Sequence, residues 1–509
     1  SRKTVGEAYE RLAAEGFLQG KVGSGTYVSA RLTPLERPRP AAAALQANPH
    51  WRAIAAGWQP FLQQAQRYNF AGGTTDKRRF PFDVWRACLQ RALRLQARSP
   101  AFYAEPLGDP ELRLAIARYL AINRAVRCDW NDILVSQGAQ QALDLLARVL
   151  LEPGDLAVVE EPGYPPARAI FSAAGARVLG VPVDAEGLRV DLLPAQAKLV
   201  YVTPSHQFPL GQPMSLQRRL ELLEWARGRQ VLIIEDDYDG EYRFDGRPLE
   251  SLQNLDSEGR VAYVGTFSKT LFPELRLGYL LMPPALRTEL TAAKSLADRH
   301  SASLQQLALA HFISSGAFAK HTRHLQREYA QRRQHLLTRL SSDLGTWLEP
   351  LPSVAGIHLA ARLRQPLDTR RLCMQLAERG LLLGDLAPFY AEGPAMAGLL
   401  FGFGAQVGFL HARVCAHRLR RVEGDHLAIH HHRNAVGQAE HHAHVVLHGQ
   451  QRLAHRDFLD QADEAAGFAL AHAGRGLVEQ DHAGTASDGD ANLQGTLFRV
   501  GEVHGQHVA

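Results

Sequence analysis

Short apolar runs alternate with amphipathic stretches over roughly residues 100–285. The runs are continuous rather than alternating in polarity, as in DILVS, DLAVVEE, KLVYVTPS, VLIIEDD, VAYVGTFS and LGYLLM. Runs of this kind are typical of strands that are covered on both faces. The stretches between them, such as QQALDLLARVLL and SLQRRLELLEWARGR, carry apolar residues at helical spacing. This order predicts an α/β fold with a mostly parallel sheet covered by helices.

The first 30 residues have a different pattern, which predicts a helix followed by a small hairpin. Val5, Tyr9 and Leu12 recur at helical spacing, Gly16 ends the helix, and FLQGKVGSGTYV predicts two short strands. A helix and a hairpin form the second half of a winged helix-turn-helix, but they also occur as an ordinary surface piece. If the unit binds DNA, the contacts are expected from Arg2, Lys3 and Thr4 at the helix N-terminus and from Lys21 in the wing.

The pattern divides the whole chain into five segments. Long helices follow the sheet region, and GIHLAARL and AGLLFGFG then predict strands of a second, smaller domain. The predicted segments are the helix and hairpin at 1–30, a linker partly stiffened by prolines at 31–60, the large α/β domain at 61–345, a truncated α+β domain at 346–406, and an atypical tail at 407–509.

The tail differs from the rest of the chain in composition. Residues 407–509 hold 15 of the 23 histidines, and neither the helical nor the strand period persists in them. Three hypotheses are open: a histidine-rich metal-binding segment, a poorly structured extension, or translation in a wrong frame beyond about Gln406. The abrupt change in composition favours the third.

Composition and charge narrow the class of protein. The hydrophobic content of 46% and the charged content of 21% are ordinary for a soluble globular protein, and the net charge of +5 permits a nucleic-acid partner without requiring one. The four cysteines are scattered, which fits a reducing compartment and argues against a structural zinc site. No metal is predicted. No apolar run reaches the length of a membrane span and no signal peptide opens the chain, so we expect a cytoplasmic protein. Because Ser1 stands mid-pattern without a methionine, we also expect a fragment.

Candidate chemistry collects where the predicted strands end, which is where ligands bind in open parallel sheets. In SQGAQQAL, a helix begins at about Ala139, so Gly138, Ala139 and Gln140 could offer free N–H groups to a phosphate. In VLIIEDDYDGEY, the acids around Asp236 need a cationic partner, such as a protonated ring nitrogen, unless the turn is simply solvated.

Two more strand ends carry groups suited to a flat ligand. Tyr164 in EEPGYPPAR can stack on a planar ring. Ser205, His206 and Gln207 in TPSHQFPLG can hydrogen-bond a ring substituent.

Lys269 in TFSKT ends what the pattern predicts to be a buried strand. Either its side chain reaches back to the surface, or it is an uncharged amine that does covalent chemistry. Thr266 and Ser268 lie beside it, and Arg276, which is suited to a phosphate dianion, follows seven residues later. An aromatic plate, an acid for a ring nitrogen, phosphate donors and a lysine are together what pyridoxal 5′-phosphate (PLP) requires.

The chain resembles the MocR/GabR-type regulators, in which a GntR-type winged helix is fused to a class I aminotransferase-like domain of PLP fold type I. SRKTVGEAYERLAAEGFLQGKVGSGTYV is similar to the end of the DNA reader. The motifs of the second domain follow in order, namely YAEPLGDPELRLAIARYL, SQGAQQAL, EEPGYPPAR, TPSHQFPLG, IEDDYDGEYR and GTFSKTLFPELRLGY. The resemblance covers about residues 1–405.

The resemblance implies a role for each matching residue. Lys269 would form the Schiff base with PLP, Asp236 would pair with the pyridine nitrogen, Tyr238 would bond the phenolic oxygen, and Tyr164 would stack on the ring. Gln207 is also expected near the cofactor. The phosphate would be held by Gly138, Ala139, Gln140, Thr266, Ser268 and Arg276. In a homodimer, Tyr103 would reach the phosphate of the neighbouring subunit.

The chain also departs from the family pattern. The first half of the winged helix is missing. The arginine expected near AGLLFGFG for a substrate carboxylate is replaced by Leu399 or its neighbours, and the tail stands where a final amphipathic helix is expected. The leading hypothesis is a transcription regulator that binds DNA and senses PLP or a PLP adduct of a small amine or amino acid. The alternatives are a working aminotransferase and a misframed product without function.

Overall fold

The structure is a computed structural model that describes residues 2–29, 46–57, 68–126, 128–245 and 250–405. Two compact units divide at Pro60 and Phe61. The predicted tail at 407–509 and most of the predicted linker lie outside the described residues, so the hypotheses on the tail stay predictions. Within the described ranges, no helix is long and apolar enough to cross a membrane.

The first unit contains the helix and hairpin and one further helix. Its elements are α1 (Arg2–Ala14), β1 (Leu18–Lys21), β2 (Gly25–Val28) and α2 (Pro49–Gly57). The strands pair antiparallel, with Leu18 opposite Val28. After α1 the chain reverses at Gly16, whose φ of +80° is a conformation that glycine adopts without strain. The sequence pattern gave no sign of α2.

The second unit contains the large sheet with its helices and a smaller sheet. Its elements in chain order are β3 (Tyr68–Asn69), α3 (Phe82–Gln96), α4 (Pro110–Asn123), β4 (Ile133–Ser136), α5 (Ala139–Leu150), β5 (Leu156–Glu161), α6 (Pro165–Ala173), β6 (Arg177–Asp184), β7 (Gly187–Leu188), β8 (Ala197–Val202), α7 (Leu216–Ala226), β9 (Leu232–Asp237), α8 (Leu252–Leu255), β10 (Val261–Thr266), β11 (Gly278–Leu281), α9 (Arg287–Asp298), α10 (Ser303–Ser314), α11 (Ala317–Leu344), β12 (Leu348–Pro350), β13 (His358–Leu363), α12 (Thr369–Glu378), β14 (Leu381–Leu382), β15 (Gly384–Asp385) and β16 (Gly398–Gly402).

The large sheet has eight strands in the order β4-β11-β10-β9-β8-β5-β6-β7. The run from β10 to β6 is parallel, whereas β11 is antiparallel to both of its neighbours and β7 is antiparallel to β6. Strands β9, β10 and β11 are buried at every residue, as expected of continuous apolar runs between two layers of helices. The predicted α/β class is confirmed.

The small domain is an antiparallel sheet in the order β12-β13-β16-β15. The long helix α11 leads into it and buries residues three or four positions apart, among them Leu325, Tyr329, Leu336 and Leu340. A second, two-stranded sheet joins distant parts of the chain, because β14 pairs in parallel with β3, with Leu381 opposite Tyr68. The predicted segment boundaries stay a prediction.

Candidate functional site

The candidate site lies at the carboxyl edge of the parallel strands. Strand β9 ends at Asp237, β10 ends at Thr266, and β4 runs through Ser136 into the start of α5. These strand ends meet at one edge of the sheet, so the polar residues that follow them are brought together. Helix α5 begins at Ala139, as the sequence predicts, with Gly138 before it at a φ of +83°.

Lys269 points its amine at the backbone rather than at solvent. Its Nζ donates a hydrogen bond of 2.6 Å to the carbonyl oxygen of Gly73. Burial lowers the pKa of Lys269, although the nearby carboxylates of Asp239 and Asp236 oppose that shift. Gly73 has a φ of +83°, and a Cβ there would lie 2.9 Å from Nζ. Burial therefore makes the uncharged, nucleophilic form of this amine easier to reach than in an exposed lysine.

Asp236 is a buried acid with one free oxygen. Its Oδ2 accepts a hydrogen bond of 2.7 Å from the Tyr201 hydroxyl, and its buried Oδ1 finds no hydrogen-bond partner among the described residues. Burial raises the pKa of Asp236 to about 7; Asp237 and Asp239 act in the same direction, and the Tyr201 hydrogen bond acts against it. A cationic N–H donor placed at Oδ1 would satisfy this hydrogen-bond acceptor and would offset the free energy that it costs to bury the negative charge of Asp236.

Asp237 stands in a different environment although it is the next residue. Its Oδ2 accepts a hydrogen bond of 2.8 Å from Nε of Arg124 and another from the Tyr263 hydroxyl. Arg124 also donates to the carbonyl oxygen of Gly240 at 2.7 Å. Oδ1 of Asp237 also lacks a hydrogen-bond partner among the described residues, but the charge of this acid is met by the guanidinium of Arg124. Local sequence could not separate the two acids, whereas their partners do.

Two tyrosines stand near these acids. The ring of Tyr164 packs edge-on against Phe208 at 5.6 Å between centroids, and burial, together with Asp236, raises the pKa of its hydroxyl. The Tyr238 hydroxyl donates to the carbonyl oxygen of His206 at 3.0 Å and lies 2.9 Å from Nδ1 of that histidine. Both tyrosines are half-buried.

The predicted phosphate residues form a second group. Nη2 of Arg276 donates to the carbonyl oxygen of Gln137 at 2.8 Å, which holds the exposed guanidinium beside the start of α5. A Cβ at Gly138 would lie 3.4 Å from Nη1 of Arg276, so a side chain there would crowd the space between them. Thr266 and Ser268 are hydrogen-bonded to each other through their hydroxyls at 3.1 Å. Helix N–H groups, hydroxyls and a guanidinium are donors that suit a phosphate.

Ala139 and Gln140 are the first two residues of α5, so their backbone N–H groups have no partner within the helix. Gln207 is expected near the cofactor, and that expectation stays a prediction. Gln207 is buried, and its amide nitrogen donates to the carbonyl oxygens of Pro162 and Phe208 at 2.8 Å each.

Tyr103, which is expected to reach a neighbouring subunit, is 75% exposed. The guanidinium of Arg299 lies 4.4 Å from its ring centroid.

The predicted DNA contacts lie in the first unit. Arg2, Lys3 and Thr4 form the first turn of α1 and are exposed, which leaves them accessible to a nucleic acid. Lys21 ends β1, and its ammonium lies 5.5 Å from the centroid of the Tyr27 ring.

Three residues of the site were missed by sequence reasoning: Gly73, Asp239 and His358. His206 Nδ1 lies 3.1 Å from both carboxylate oxygens of Asp239, and His358 Nε2 lies 3.2 Å from the carbonyl oxygen of Pro209. The ligand atoms of the buried residues His206, Asp239 and His358 come within 4.8 Å of one another, which is a spacing that a metal could use. The side chains of His206, Asp239 and His358 already form hydrogen bonds within the protein. The expectation that the protein binds no metal stays a prediction. Asp239 belongs to the acidic turn that the sequence singles out, whereas Gly73 gave no local signal.

The chain is similar to known proteins along most of its length. The family model for aminotransferase class I and II matches residues 69–395. The chain is 36% identical over 406 residues to the probable rhizopine catabolism regulatory protein MocR of Rhizobium meliloti, covering 79% of this chain and 82% of that protein. It is 32% identical over 405 residues to the HTH-type pyridoxine biosynthesis transcriptional regulator PdxR of Corynebacterium glutamicum, covering 80% and 84%.

A solved structure with a similar fold is LysN of Thermus thermophilus, an α-aminoadipate aminotransferase complexed with N-(5'-phosphopyridoxyl)-L-leucine. The similarity has a TM-score of 0.65 at 27% sequence identity and covers 75% of this chain and 96% of that chain.

Proposed function

Because the chain belongs to the aminotransferase class I and II family and to the HTH-type transcriptional regulators of the MocR kind, we propose that it is a PLP-dependent DNA-binding regulator. In this proposal the aminotransferase-like domain senses PLP or an amine bound with it, and the first unit contacts promoter DNA. The observation that carries the proposal is Oδ1 of Asp236, which has no hydrogen-bond partner among the described residues, in the same site as the half-buried Lys269.

PLP dependence follows from the family, and the residues present fit the cofactor. When bound, PLP supplies an aldehyde for amines and a ring that withdraws electrons. Asp236 would hold the proton of the ring nitrogen, Lys269 would be the covalent attachment point, and Tyr238 would donate to the phenolic oxygen. Tyr164 would cover one face of the ring.

The phosphate end would be held by charged and polar groups at the carboxyl edge of the sheet. Gly138, Ala139 and Gln140 would contribute the open end of α5, Thr266 and Ser268 their hydroxyls, and Arg276 its guanidinium. Gln207 would then support the site from behind, because its amide holds the turn that contains Phe208. A homodimer in which Tyr103 reaches the second site is part of the proposal.

The ligand would regulate DNA binding if its affinity differed between two conformations of the protein. A ligand shifts such an equilibrium only by its difference in affinity for the two states. The effector would therefore have to be bound more tightly when the DNA readers are held in one arrangement than in the other. The partners proposed are promoter DNA, a small amine or amino acid, and a second copy of the chain.

The cofactor assignment is tested on the purified protein. We expect a visible absorbance band that borohydride treatment fixes covalently, and we expect Lys269→Ala to lose both the band and the fixation. The matched control is Lys198→Ala, because Lys198 is an exposed lysine of β8. A borohydride-fixed band of equal size in Lys269→Ala would show that another lysine carries the cofactor.

The DNA assignment is tested by titrating specific and random duplexes at several salt concentrations. Lys21→Ala should weaken binding to both duplexes and reduce the salt slope, as expected when a phosphate contact is lost. Arg2→Ala should weaken only the specific complex, by about 1–3 kcal/mol if it removes a bidentate base contact. Equal losses on both duplexes would remove the base-reading role of Arg2.

A further inference from the structure

The titratable groups closest to the Lys269 amine are two carboxylates and an uncharged histidine. Its two nearby charged groups are the carboxylates of Asp239 and Asp236, which is the reason they oppose the effect of burial on its pKa. His358 is buried close by, and burial lowers the pKa of its ring to about 3, so it is uncharged at neutral pH. His206 is hydrogen-bonded to Asp239. A ligand group that binds beside Lys269 therefore meets carboxylates and a neutral imidazole.

Arg276, Arg168 and Arg332 lie near this region, and each has an acidic or carbonyl partner; Nη1 of Arg168 is the exception among their nitrogens that is buried without a hydrogen bond from the described residues. Arg276 belongs to the phosphate group and donates to Gln137. Arg168 donates to the carbonyl oxygen of Phe389 at 3.1 Å and lies 3.5 Å from the carboxylate of Glu161.

On the side of β16, Arg332 donates to the carbonyl oxygen of Ala405 at 2.6 Å and to the carboxylate of Asp76 at 2.8 Å. This arginine is buried, so it cannot turn toward a ligand without breaking both interactions. Among the charged groups of the described residues, only the carboxylates of Asp239 and Asp236 act on the pKa of Lys269.

The neighbouring wall is apolar. Leu400 of β16 packs with Leu210, Leu386 and Phe389 in one buried cluster. A Cβ built on Gly72 would lie 2.7 Å from Cδ2 of Leu400, and Gly72 precedes the residue that accepts the hydrogen bond of Lys269. Leu400 therefore contacts the same glycine segment as the lysine amine.

The aromatic ring of Phe208 connects this wall to the site. Its centroid lies 5.1 Å from that of Phe389, 5.6 Å from that of Tyr164 and 5.9 Å from that of Tyr238. A carboxylate placed between this wall and Lys269 would lose its water without gaining a cation, which is unfavourable. An alkyl or aryl group there would instead be stabilised by leaving water.

We propose that the ligand recognised beside Lys269 is a primary amine that carries no carboxylate on its amine-bearing carbon and whose apolar substituent contacts Leu400 and Phe389. The proposal rests on the proposed function, because it takes PLP to be held by Lys269. It names the chemical class of the effector as a carboxyl-free amine rather than an α-amino acid. The approaching ammonium group of such an amine is also attracted by the carboxylate of Asp239.

The test compares ligand pairs that differ only in the carboxylate. The PLP-loaded protein is titrated with 3-methylbutylamine against L-leucine and with 2-phenylethylamine against L-phenylalanine. Binding is followed by calorimetry and by the change in visible absorbance. We expect each amine to bind at least tenfold more tightly than its amino acid. Equal or tighter binding of the amino acids, or no binding of either class, would overturn the proposal.

A variant pair links the selectivity to the apolar wall. Leu400→Arg should reduce the preference for the amine at least tenfold, because it places a cation beside the ligand, and Leu400→Met should leave the preference unchanged. If Leu400→Arg fails to fold, the titration of the unmodified protein still decides. Failure of the proposed function is separate, because it would appear earlier, as a protein that shows no visible band and no borohydride fixation before any ligand is added.

Discussion

Replacing Asp236 by asparagine should stabilise the cofactor-free protein at high pH. Burial raises the pKa of this acid from 3.8 to about 7, so the folded state holds the proton more tightly than the unfolded state does. The contribution of Asp236 to the free energy of unfolding should therefore fall as the pH rises from about 4 to about 7, by about 1.4 kcal/mol per pH unit and roughly 4 kcal/mol in all. Asp236→Asn removes that cost, because its amide does not ionise and its oxygen can still accept from Tyr201.

The neighbouring substitution should have the opposite effect. Asp237→Asn leaves the half-buried guanidinium of Arg124 without the carboxylate of Asp237, and breaking a buried pair of this kind typically costs about 3–5 kcal/mol. Urea unfolding of the two cofactor-free variants at pH 4 and pH 8 measures both effects. The difference between Asp236→Asn and the unmodified protein should be small at pH 4 and at its largest at pH 8.

Cofactor affinity completes the comparison. Asp236→Asn should bind PLP at least tenfold more weakly, since the ring nitrogen loses its anionic partner. The reasoning is refuted if Asp236→Asn destabilises the cofactor-free protein at pH 8, or if Asp237→Asn weakens PLP binding more than Asp236→Asn does. In the second case the ring nitrogen would pair with Asp237, and the contact of that acid with Arg124 would belong to the binding site.

Two glycines allow further predictions. Gly73→Ala puts a Cβ 2.9 Å from Nζ of Lys269 at a φ of +83°, so it should displace the amine and reduce the borohydride-fixed band at least tenfold; an unchanged band would contradict this. Gly356→Ala puts a Cβ into the ring of the buried His206 at the same φ, and urea unfolding should show a loss of roughly 2–5 kcal/mol. The control is Gly380→Ala, where φ is +78° and no atom lies within 4 Å, so that only the backbone cost of about 1–2 kcal/mol is expected. If Gly356→Ala and Gly380→Ala lost the same free energy of unfolding, the ring of His206 would have to move aside at no cost.

The strands of the large sheet could be predicted because their environment is uniform. A strand covered on both faces needs apolar residues at every position, and β9 and β10 have them up to the acids and the threonine that end them. The start of α5 was equally visible, because Gly138 interrupts the apolar pattern between a strand and a helix. At these strands and at the start of α5, the structure is determined by residues that are adjacent in the sequence.

The rest of the site depends on contacts that no local pattern encodes. The hydrogen bond between Lys269 and Gly73 joins residues 196 positions apart, and Gly73 has no side chain to signal it. Gln207 has the polarity of a ligand contact, but its amide is needed by backbone carbonyls of a tight turn, which only the folded chain brings close. Helix α2 lies in a segment where proline content favoured a linker.

The pairing of β3 with β14 has a consequence for how the protein is made. Tyr68 leaves the ribosome long before Leu381, its partner in the small domain. At about 5–20 residues per second, the wait is on the order of tens of seconds, during which β3 has no strand to pair with. The large sheet can form in that interval, because all its strands lie between Ile133 and Leu281. The small domain must then assemble with β3, which was synthesised earlier and has stayed unpaired. A ribosome stalled before Leu381 would therefore carry a formed large sheet and an unpaired β3.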